Sequence, residues 1–413
     1  MPAELPRERA TVMARELERL ARGAGLVVSE PWVVRLPKVA AATYLGKGQV
    51  DHLRELAGGL EADVVIFNNP LSPVQQRNLE RALERKVVDR TGLILEIFAA
   101  RARSREGRLQ VALASLLYQQ SRLVRSWTHL ERQRGGVGLR GGPGETQIEV
   151  DRRLARDRIQ ELRRSLEKVV QTRELHRQNR QQVPFFAAAL VGYTNAGKSA
   201  LFNRLTGASV QVADQLFATL DPTMRGVTLP SGQRIILSDT VGFIRDLPHP
   251  LVAAFRATLE EVMEADLLLH VVDLSDPEWE EQSRSVLAVL EEMGAGAKPI
   301  LTIMNKADLI DPANAPGLTE RLASRPDTLV ISTLTGQGIP FLLEALSQEA
   351  GRNEETWQLH LPVTDGAILA RFNREGRILQ RTDGETHIAL TVALTTIAAG
   401  RLAPLLKKYV SAS

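Results

Sequence analysis

The sequence contains no cysteine, and this absence excludes several classes of protein at once. Disulfide frameworks, thiolate zinc sites and cysteine nucleophiles all need a thiol, so none of them operates in this chain. Seven histidines are present, but their positions (52, 129, 176, 249, 270, 360 and 387) show no spacing that is typical of metal ligands. Each histidine is therefore interpreted as structural or solvated.

Long apolar runs are also absent. The longest apolar stretches, such as residues 388–399, are shorter than the roughly 20 residues needed to cross a bilayer. The first 23 residues are charged throughout and lack the apolar core of a signal peptide. We therefore expect a cytoplasmic protein with no membrane span, and we expect it to be a monomer.

Charge is distributed unevenly along the 413 residues, which suffice for two to four domains. Residues 101–182 carry 19 Arg and Lys against 9 Asp and Glu, a net of +10, whereas the rest of the chain has a net of −7. Arginine supplies 43 of the 52 basic residues. Its planar guanidinium suits bidentate contacts with phosphate, although a coding bias would produce the same excess.

The first region, residues 1–105, alternates short apolar runs with charged stretches, and this alternation predicts a small α/β domain. The polar stretch 73–85 is interpreted as a helix. Residues 46–49 (GKGQ) look like a phosphate-binding loop but lack the closing Lys-Ser/Thr pair, so a glycine turn that opens a helix is favoured. The apolar runs interpreted as strands are 26–28, 63–67 and 93–98.

The second region, residues 106–183, has apolar residues at three- and four-residue steps on both sides of a glycine-rich segment, 135–144. Six glycines in those ten residues prevent a continuous helix, so we predict an antiparallel pair of long helices with a mobile, basic tip. Such a pair is either a solvated structural element or a probe for nucleic acid, in which arginines neutralise phosphates. The candidate RNA-binding residues are Arg132, Arg134, Arg140, Arg152 and Arg153.

Residues 184–350 contain the motifs of a nucleotide-binding domain. An apolar run, 185–191, leads into GYTNAGKS and then into a helical sequence, which is the context that a P-loop requires. In a P-loop, backbone N–H groups cradle the phosphates, Lys198 bridges the β and γ oxygens, and the Ser199 hydroxyl binds Mg²⁺. The predicted phosphate-binding residues are Gly192, Tyr193, Thr194, Asn195, Ala196, Gly197, Lys198, Ser199 and Ala200.

Two further segments resemble the switches of a GTPase. Residues 217–222 (FATLDP) place Thr219 where it would close on Mg²⁺ when a γ-phosphate is present. A strand at 234–239 ends in DTVG, in which Asp239 would hold Mg²⁺ through a coordinated water and the Gly242 N–H would meet the γ-phosphate. Lys198, Thr219 and Gly242 are therefore the candidate catalytic residues, and Mg²⁺ is the expected cofactor.

Two motifs near the end of this region predict guanine recognition. The strand 299–304 runs into Asn305, Lys306, Ala307 and Asp308, in which the Asp308 carboxylate can accept hydrogen bonds from guanine N1–H and the 2-amino group. Adenine cannot donate this pair of bonds, so GTP and GDP are the expected ligands. The loop after the strand 328–331 would contact guanine O6 through backbone N–H groups, with Ser332 and Thr333 as its candidate residues.

The whole chain, and not only these motifs, is similar to the HflX family of ribosome-associated GTPases. The resemblance covers residues 25–350 and includes the segments 67–80, 89–95, 105–107 and 141–147. It implies a protein that binds the large ribosomal subunit and its RNA, is in part associated with ribosomes in the cytoplasm, and dissociates stalled or idle ribosomes into subunits. The family has one glycine fewer in the tip loop, and it has acidic residues where this chain has amides at 68 and 69.

The residue after Gly242 is Phe243, at a position where many GTPases have a glutamine that orients the attacking water. Phenylalanine cannot hydrogen-bond that water, so we predict slow intrinsic hydrolysis and a missing group supplied by the ribosome. The alternative is that Phe243 only packs and another side chain of this chain serves. Asn195 occupies the position used by P-loop GTPases that bind K⁺, so K⁺ is a second candidate cofactor.

The expected fold class is α/β with several domains: an N-terminal α/β subdomain (1–105), a helical hairpin (106–183), a GTPase domain (184–350) and a small C-terminal α/β domain (351–413). The C-terminal domain has strand-like segments at 357–361, 377–380 and 388–392 and a short helix near 368–374. Two alternative functions stay open: a GTP-regulated RNA- or protein-binding switch that does not act on ribosomes, and an ATP-dependent RNA-remodelling enzyme that uses the N-terminal domain.

Overall fold

The structure is a computed structural model, and it describes residues 7–133, 147–180, 185–208, 217, 223–245, 261–311, 317–352 and 354–410. The chain divides into two compact units, and the predicted α/β class is confirmed in both. The first unit comprises Met1–Gln171, Gln211–Asp221 and Val241–Glu260, and the second comprises Thr172–Val210, Pro222–Thr240 and Glu261–Ser413.

The first unit contains a two-stranded parallel sheet formed by β1 (Val64–Phe67) and β2 (Lys86–Asp89). Buried leucines and valines pack beside this sheet, among them Leu45, Leu79 and Val87. Its helices are α1 (Arg7–Gly23), α2 (Lys47–Gly59), α3 (Pro73–Leu83), α4 (Arg90–Arg101), α5 (Arg105–Gln133) and α6 (Gln147–Arg180), the last of which runs on into the second unit.

Several predictions for this region are confirmed. The run 63–67 forms β1, and the polar stretch 73–85 forms α3, whose Ser72 hydroxyl accepts a hydrogen bond from the Gln75 N–H at 3.2 Å. Gly46 is the N-cap of α2, so the segment 46–49 opens a helix as predicted.

The prediction of a strand at 93–98 is wrong, because this run lies in α4. The Asp89 carboxylate caps the helix by accepting the Gly92 N–H at 2.9 Å. Leu93, Ile94, Leu95, Ile97 and Phe98 are all buried, so the helix is covered around most of its circumference. A continuous apolar run of this length fits a buried helix as well as a buried strand. Residues 26–28, also predicted as a strand, form no strand pairing.

The two long helices predicted for the second region are present as α5 and α6, which have 29 and 34 residues. Arg153 is exposed on α6. The glycine-rich segment, including Arg134 and Arg140, and the side chains of Arg132 and Arg152 lie outside the described residues, so the antiparallel hairpin with a basic tip stays a prediction.

The second unit is organised around a six-stranded sheet with the order β4-β5-β3-β6-β7-β8. Strand β4 is antiparallel to β5, and the other neighbours are parallel. The parallel strands end at the same edge, where Leu190 is opposite Asp239 and Asp273 is opposite Asn305. The strands are β3 (Ala187–Gly192), β4 (Thr223–Thr228), β5 (Arg234–Asp239), β6 (Leu267–Asp273), β7 (Ile300–Asn305) and β8 (Thr328–Val330).

Helices pack against this sheet and bury an apolar core that includes Leu190, Leu237, Leu269 and Ile303, and a second cluster that includes Val272 and Leu322. They are α7 (Lys198–Thr206), α8 (Trp279–Glu292), α9 (Leu318–Ala323) and α10 (Ile339–Gly351). Helix α10 contributes Leu342 and Leu346 to that core. This doubly covered, mostly parallel sheet places the loops after β3, β5 and β7 along one edge.

The C-terminal part has a three-stranded antiparallel sheet with the order β10-β11-β9. All three predicted strands and the short helix are present, and a further helix, α12, packs Leu402 and Leu406 into their core. The elements are β9 (Glu354–Pro362), α11 (Gly366–Glu375), β10 (Arg377–Asp383), β11 (His387–Thr395) and α12 (Thr396–Tyr409).

This C-terminal sheet holds the turn between β4 and β5 by hydrogen bonds. Arg377 donates from Nη1 to the Ser231 carbonyl and from Nη2 to Glu354 Oε2, both at 2.8 Å. Gln233 Nε2 donates to Glu354 Oε1 at 2.5 Å. We call these four residues, Ser231, Gln233, Glu354 and Arg377, the turn clasp. Within the described ranges, no helix has both the length and the apolar character that a bilayer span requires.

Candidate nucleotide-binding site

The predicted P-loop lies between the end of β3 and the start of α7. Lys198 is buried there, and its Nζ donates to the carbonyls of Gly192 and Tyr193 at 3.0 and 2.7 Å. Burial lowers the pKa of Lys198 to about 8, and the nearby Asp239 carboxylate partly offsets this. The ammonium is thus held at the phosphate end of the predicted site by carbonyl dipoles, which a phosphate oxygen would replace.

Gly197 shows why the loop needs glycine at this point. Its φ of +98° lies in the left-handed region, and a Cβ there would overlap Nδ2 of Asn305. The same Nδ2 donates to the Ala196 carbonyl at 2.9 Å. Asn305 therefore ties the P-loop to the end of β7.

Ser199 and Asp239 are brought together as predicted, and the Ser199 hydroxyl donates to Asp239 Oδ2 at 2.7 Å. A hydroxyl oxygen next to a carboxylate is the hard-oxygen donor set that Mg²⁺ prefers, so these residues fit that ion. Asp239 is fully buried at the end of β5. The adjacent Thr240 hydroxyl donates to the Leu190 carbonyl at 2.5 Å, which fixes the end of this strand against β3.

The predicted guanine-binding residues also converge. Asn305 Oδ1 accepts from the Thr333 N–H at 3.0 Å and from its hydroxyl at 2.8 Å. The Ser332 hydroxyl donates to Asp308 Oδ1 at 2.5 Å. Lys306 donates to Asp273 Oδ2 at 2.6 Å, an ion pair that orients the lysine stem along this edge. Residues predicted from two separate motifs thus form one connected network.

Arg204, on α7, also belongs to this network. It donates to three successive carbonyls of the loop after β8: Nη1 bonds Thr333 O at 2.8 Å and Leu334 O at 3.0 Å, and Nη2 bonds Thr335 O at 3.3 Å. We call residues 332–337 the base loop. Arg204 is not among the residues predicted from the sequence.

The predicted switch segments are described in part. Thr219 lies outside the described residues, while Gly242 and Phe243 are buried immediately after β5. Phe217 is buried, and its ring meets Phe98 edge to face with centroids 4.6 Å apart. Its carbonyl accepts from Arg101 Nη1 at 3.0 Å, and burial lowers the pKa of that arginine.

The same helix also contacts the chain shortly after the second segment, because Arg90 donates from Nη2 to the Arg245 carbonyl at 3.3 Å. Arg90 is buried, and it also donates to Glu16 at 2.7 Å and to Asn68 at 2.9 Å. Helix α4 therefore contacts the first residue of the segment 217–222 and a residue three positions after Gly242.

Comparison with known proteins agrees with this geometry. Three family models match: GTP-binding GTPase N-terminal over residues 12–99, GTP-binding GTPase Middle Region over 101–180, and 50S ribosome-binding GTPase over 187–306. The protein "GTPase HflX" of Magnetococcus marinus is 58% identical over 387 residues, which cover 94% of this chain and 89% of that protein. The chain belongs to the HflX family of GTPases.

Two further similarities extend the comparison. The Escherichia coli "GTPase HflX" is 47% identical over 358 residues, covering 87% of this chain and 84% of that protein. A solved GTP-binding protein from Sulfolobus solfataricus in complex with GDP is 26% identical with a TM-score of 0.46, covering 83% of this chain and 97% of that one. As an HflX-family GTPase with a P-loop domain, the protein binds and hydrolyses GTP.

Among the described residues of this HflX-family chain, His270 on β6 is a buried histidine that feels the charge of Lys198. Burial, with a smaller contribution from the charge of Lys198, lowers the pKa of His270 to about 4. The imidazole therefore stays neutral in the folded protein while the unfolded chain takes up a proton below about pH 6.5. Because the unfolded state then binds more protons, the free energy of unfolding falls as the pH drops from about 6.5 to 4.

We expect this single histidine to remove about 3 kcal/mol of stability over that range. In the variant His270→Gln, the free energy of unfolding of the GTPase unit should fall less steeply as the pH is lowered. Denaturant titrations at a series of pH values measure this slope. The control His387→Gln removes an exposed histidine and should leave the wild-type slope. An unchanged slope in His270→Gln would show that the loss of stability at low pH has another origin.

Three residues of the site were missed from the sequence: Arg204, Asp273 and His270. Asp273 ends a buried strand at the same edge as Asn305, so its position after an apolar run was a usable signal. Arg204 is one arginine among 43. Its only distinguishing signal is its place six residues after the P-loop lysine, on the helix that faces the base loop.

Proposed function

We propose that this HflX-family GTPase binds the large ribosomal subunit and dissociates stalled or idle ribosomes, and that the ribosome stimulates its GTP hydrolysis. The proposal rests on one observation. The chain that contains the GTP-binding motifs also forms two long helices, and these helices lie in its most basic segment. A family model described as a 50S ribosome-binding GTPase matches residues 187–306, which supports it.

In this proposal the P-loop residues 192–200 bind the phosphates, with Lys198 on the β and γ oxygens. Asp308 accepts from guanine N1–H and the 2-amino group, and the base loop meets O6. Asn305 holds both loops together through its contacts with Ala196 and Thr333. Lys306 and Asp273 form the neighbouring wall of the base site.

Mg²⁺ would be held by Ser199 and, when GTP is bound, by Thr219, with Asp239 acting through a coordinated water. The ion would neutralise charge on the β and γ phosphates. Asn195, whose φ of +64° is left-handed, is proposed to place K⁺ beside the phosphates. Arg132, Arg134, Arg140, Arg152 and Arg153 are proposed to contact ribosomal RNA, where arginine is well suited to bind phosphate.

The switching logic follows from linkage. GTP orders Thr219 and Gly242 around its γ-phosphate, and hydrolysis releases both. A ribosome that binds this ordered form more tightly must tighten GTP binding by the same factor. Phe243 offers no hydrogen bond to the attacking water, so the isolated protein hydrolyses GTP slowly and the ribosome supplies the missing group or ordering.

The test is GTP hydrolysis by the purified protein, alone and with purified large subunits, while light scattering follows whole ribosomes in the same buffer. We expect hydrolysis to rise by about a hundredfold or more with large subunits, and scattering to fall only when GTP is present. Replacing K⁺ by Na⁺ should slow hydrolysis, and equal rates would contradict the role of Asn195.

Two results would contradict the ribosomal proposal. Rapid turnover without ribosomes would show that the catalytic group lies in this chain. Tight GTP binding with neither stimulation nor splitting would favour a GTP-regulated switch with another RNA or protein partner. ATP-dependent RNA unwinding, assayed with a labelled duplex, would favour the remodelling alternative.

A further inference from the structure

The positively charged side chain of Arg204 shapes the base loop, although no predicted contact places this side chain against the nucleotide. Arg204 reaches from α7 to the carbonyls of Thr333, Leu334 and Thr335, at 2.8 to 3.3 Å. Three successive carbonyl dipoles directed to one point repel each other unless a positive charge lies there. A guanidinium provides that charge with a planar fork of donors.

The direction of these carbonyls fixes the direction of the N–H groups. In a trans peptide, the C=O of one residue and the N–H of the next point in opposite directions. When Arg204 holds the Thr333 carbonyl, the Leu334 N–H is directed to the other side of the loop. Among the described residues, the Leu334 N–H has no hydrogen-bond acceptor.

The neighbouring N–H groups are already used. The Thr333 N–H bonds Asn305 Oδ1 at 3.0 Å, the Thr335 N–H bonds the Ser332 hydroxyl at 3.1 Å, and the Gly336 N–H bonds the Ser332 carbonyl at 2.9 Å. Leu334 therefore has the one N–H of residues 333–336 that is left for a ligand. The Ser332 hydroxyl accepts from the Thr335 N–H and donates to Asp308, so the loop around Leu334 is bonded to the predicted guanine-binding carboxylate.

Gly336 shows that the loop accommodates the guanidinium closely. Its φ of +94° is left-handed, and a Cβ at this residue would overlap Nη2 of Arg204. No carboxylate within the described part of the chain forms an ion pair with Arg204. Its donors are therefore committed to the loop rather than to an acidic neighbour.

We propose that Arg204 is a positioning residue for guanine selectivity: it orients the peptide between Thr333 and Leu334 so that the Leu334 N–H donates to guanine O6. The inference deepens the nucleotide site of the proposed function. Arg204 controls the recognition of guanine O6 through the Leu334 N–H, whereas Asp308 recognises N1–H and the 2-amino group.

Three nucleoside diphosphates distinguish the recognition of O6 from the recognition of the 2-amino group. GDP carries both groups, inosine diphosphate lacks only the 2-amino group, and 2-aminopurine riboside diphosphate lacks O6 and the N1 proton. The missing N1–H contact with Asp308 is common to the wild type and the Arg204 variants, so it cancels when their preferences are compared. Equilibrium affinities are measured by calorimetry for the wild type, Arg204→Met and Arg204→Lys. The matched control Arg321→Met removes an exposed arginine on α9 in the same unit.

In Arg204→Met we expect the preference for GDP over 2-aminopurine riboside diphosphate to fall about tenfold, the usual worth of one hydrogen bond. The preference for GDP over inosine diphosphate should not change, because Asp308 reads that group. Arg204→Lys should be intermediate, since an ammonium keeps the charge but loses the fork. Arg321→Met should match the wild type with all three ligands.

Other outcomes would overturn the inference. Equal weakening of all three ligands in Arg204→Met would show a purely structural role, and unchanged affinities for all three would show that O6 is recognised without Arg204. These results are independent of the ribosomal proposal, because wild-type GDP binding in the same titrations shows that the nucleotide site is intact even if ribosomes have no effect.

Discussion

Replacing Asp308 by asparagine is expected to weaken GTP binding by about a thousandfold and to make xanthosine triphosphate the preferred ligand. The carboxylate can accept both guanine N1–H and the 2-amino group, and each bond to a charged acceptor contributes about 1.5–3 kcal/mol. An asparagine amide offers one acceptor and one donor, which complement the N1–H and the 2-oxo group of xanthine. Competition binding against a fluorescent nucleotide measures both affinities.

The structure supplies a control for this change. Asp327→Asn makes the same substitution at an exposed position before β8, where a φ of +54° is as acceptable to asparagine as to aspartate. This variant should keep the GTP affinity of the wild type. The assignment of Asp308 would fail if Asp308→Asn kept its preference for GTP, or if it lost guanine binding without gaining xanthine binding.

The second large effect is expected for Lys198→Ala, which should lower kcat/KM for GTP hydrolysis by about a thousandfold. The ammonium is already placed in the P-loop by the Gly192 and Tyr193 carbonyls, so little reorganisation is needed when phosphate arrives. A fixed cation beside the transferring phosphoryl group typically contributes a few kcal/mol to the transition state. Single-turnover hydrolysis of labelled GTP measures the loss.

Lys298→Ala is the matched control, because Lys298 also donates to a backbone carbonyl, that of Ala265 at 2.7 Å, in the same unit. Its hydrolysis should equal that of the wild type. Thermal melting of both variants without nucleotide checks folding, and Lys198→Ala should remain folded because it removes a poorly solvated charge. Near-normal hydrolysis by folded Lys198→Ala would refute the catalytic assignment.

The GTPase unit could be predicted from sequence in detail because its strands end in residues of recognisable nucleotide-binding motifs. Gly192, Asp239 and Asn305 each follow a buried apolar run, and in a parallel sheet such strand ends meet at one edge. The sheet then places Ser199 within hydrogen-bond distance of Asp239, and Asn305 within reach of Thr333. Motif order and strand direction were enough to bring these residues together.

The N-terminal part was harder to predict because its apolar runs carry no such markers. The run 93–98 has the length and composition of a buried strand, and only the Asp89 cap and its burial around most of the helix identify it as part of α4. Strand β2 has four residues, of which the first and the last are charged, and this pattern is too short to predict a strand. Contacts such as Arg90 with Arg245 join residues 155 positions apart, and no local pattern encodes them.

The turn clasp has a mechanical consequence. Strands β4 and β5 form the ribbon that connects the two predicted switch segments, and its far end is bonded to β9 and β10 through Glu354 and Arg377. A ribbon that is hydrogen-bonded at that end cannot shift along β3 independently of the C-terminal sheet. Any shift in its register must either break the two hydrogen bonds that Ser231 and Gln233 make with the C-terminal sheet or move that sheet with the ribbon, so the sheet acts as a lever arm on the strands between the switches.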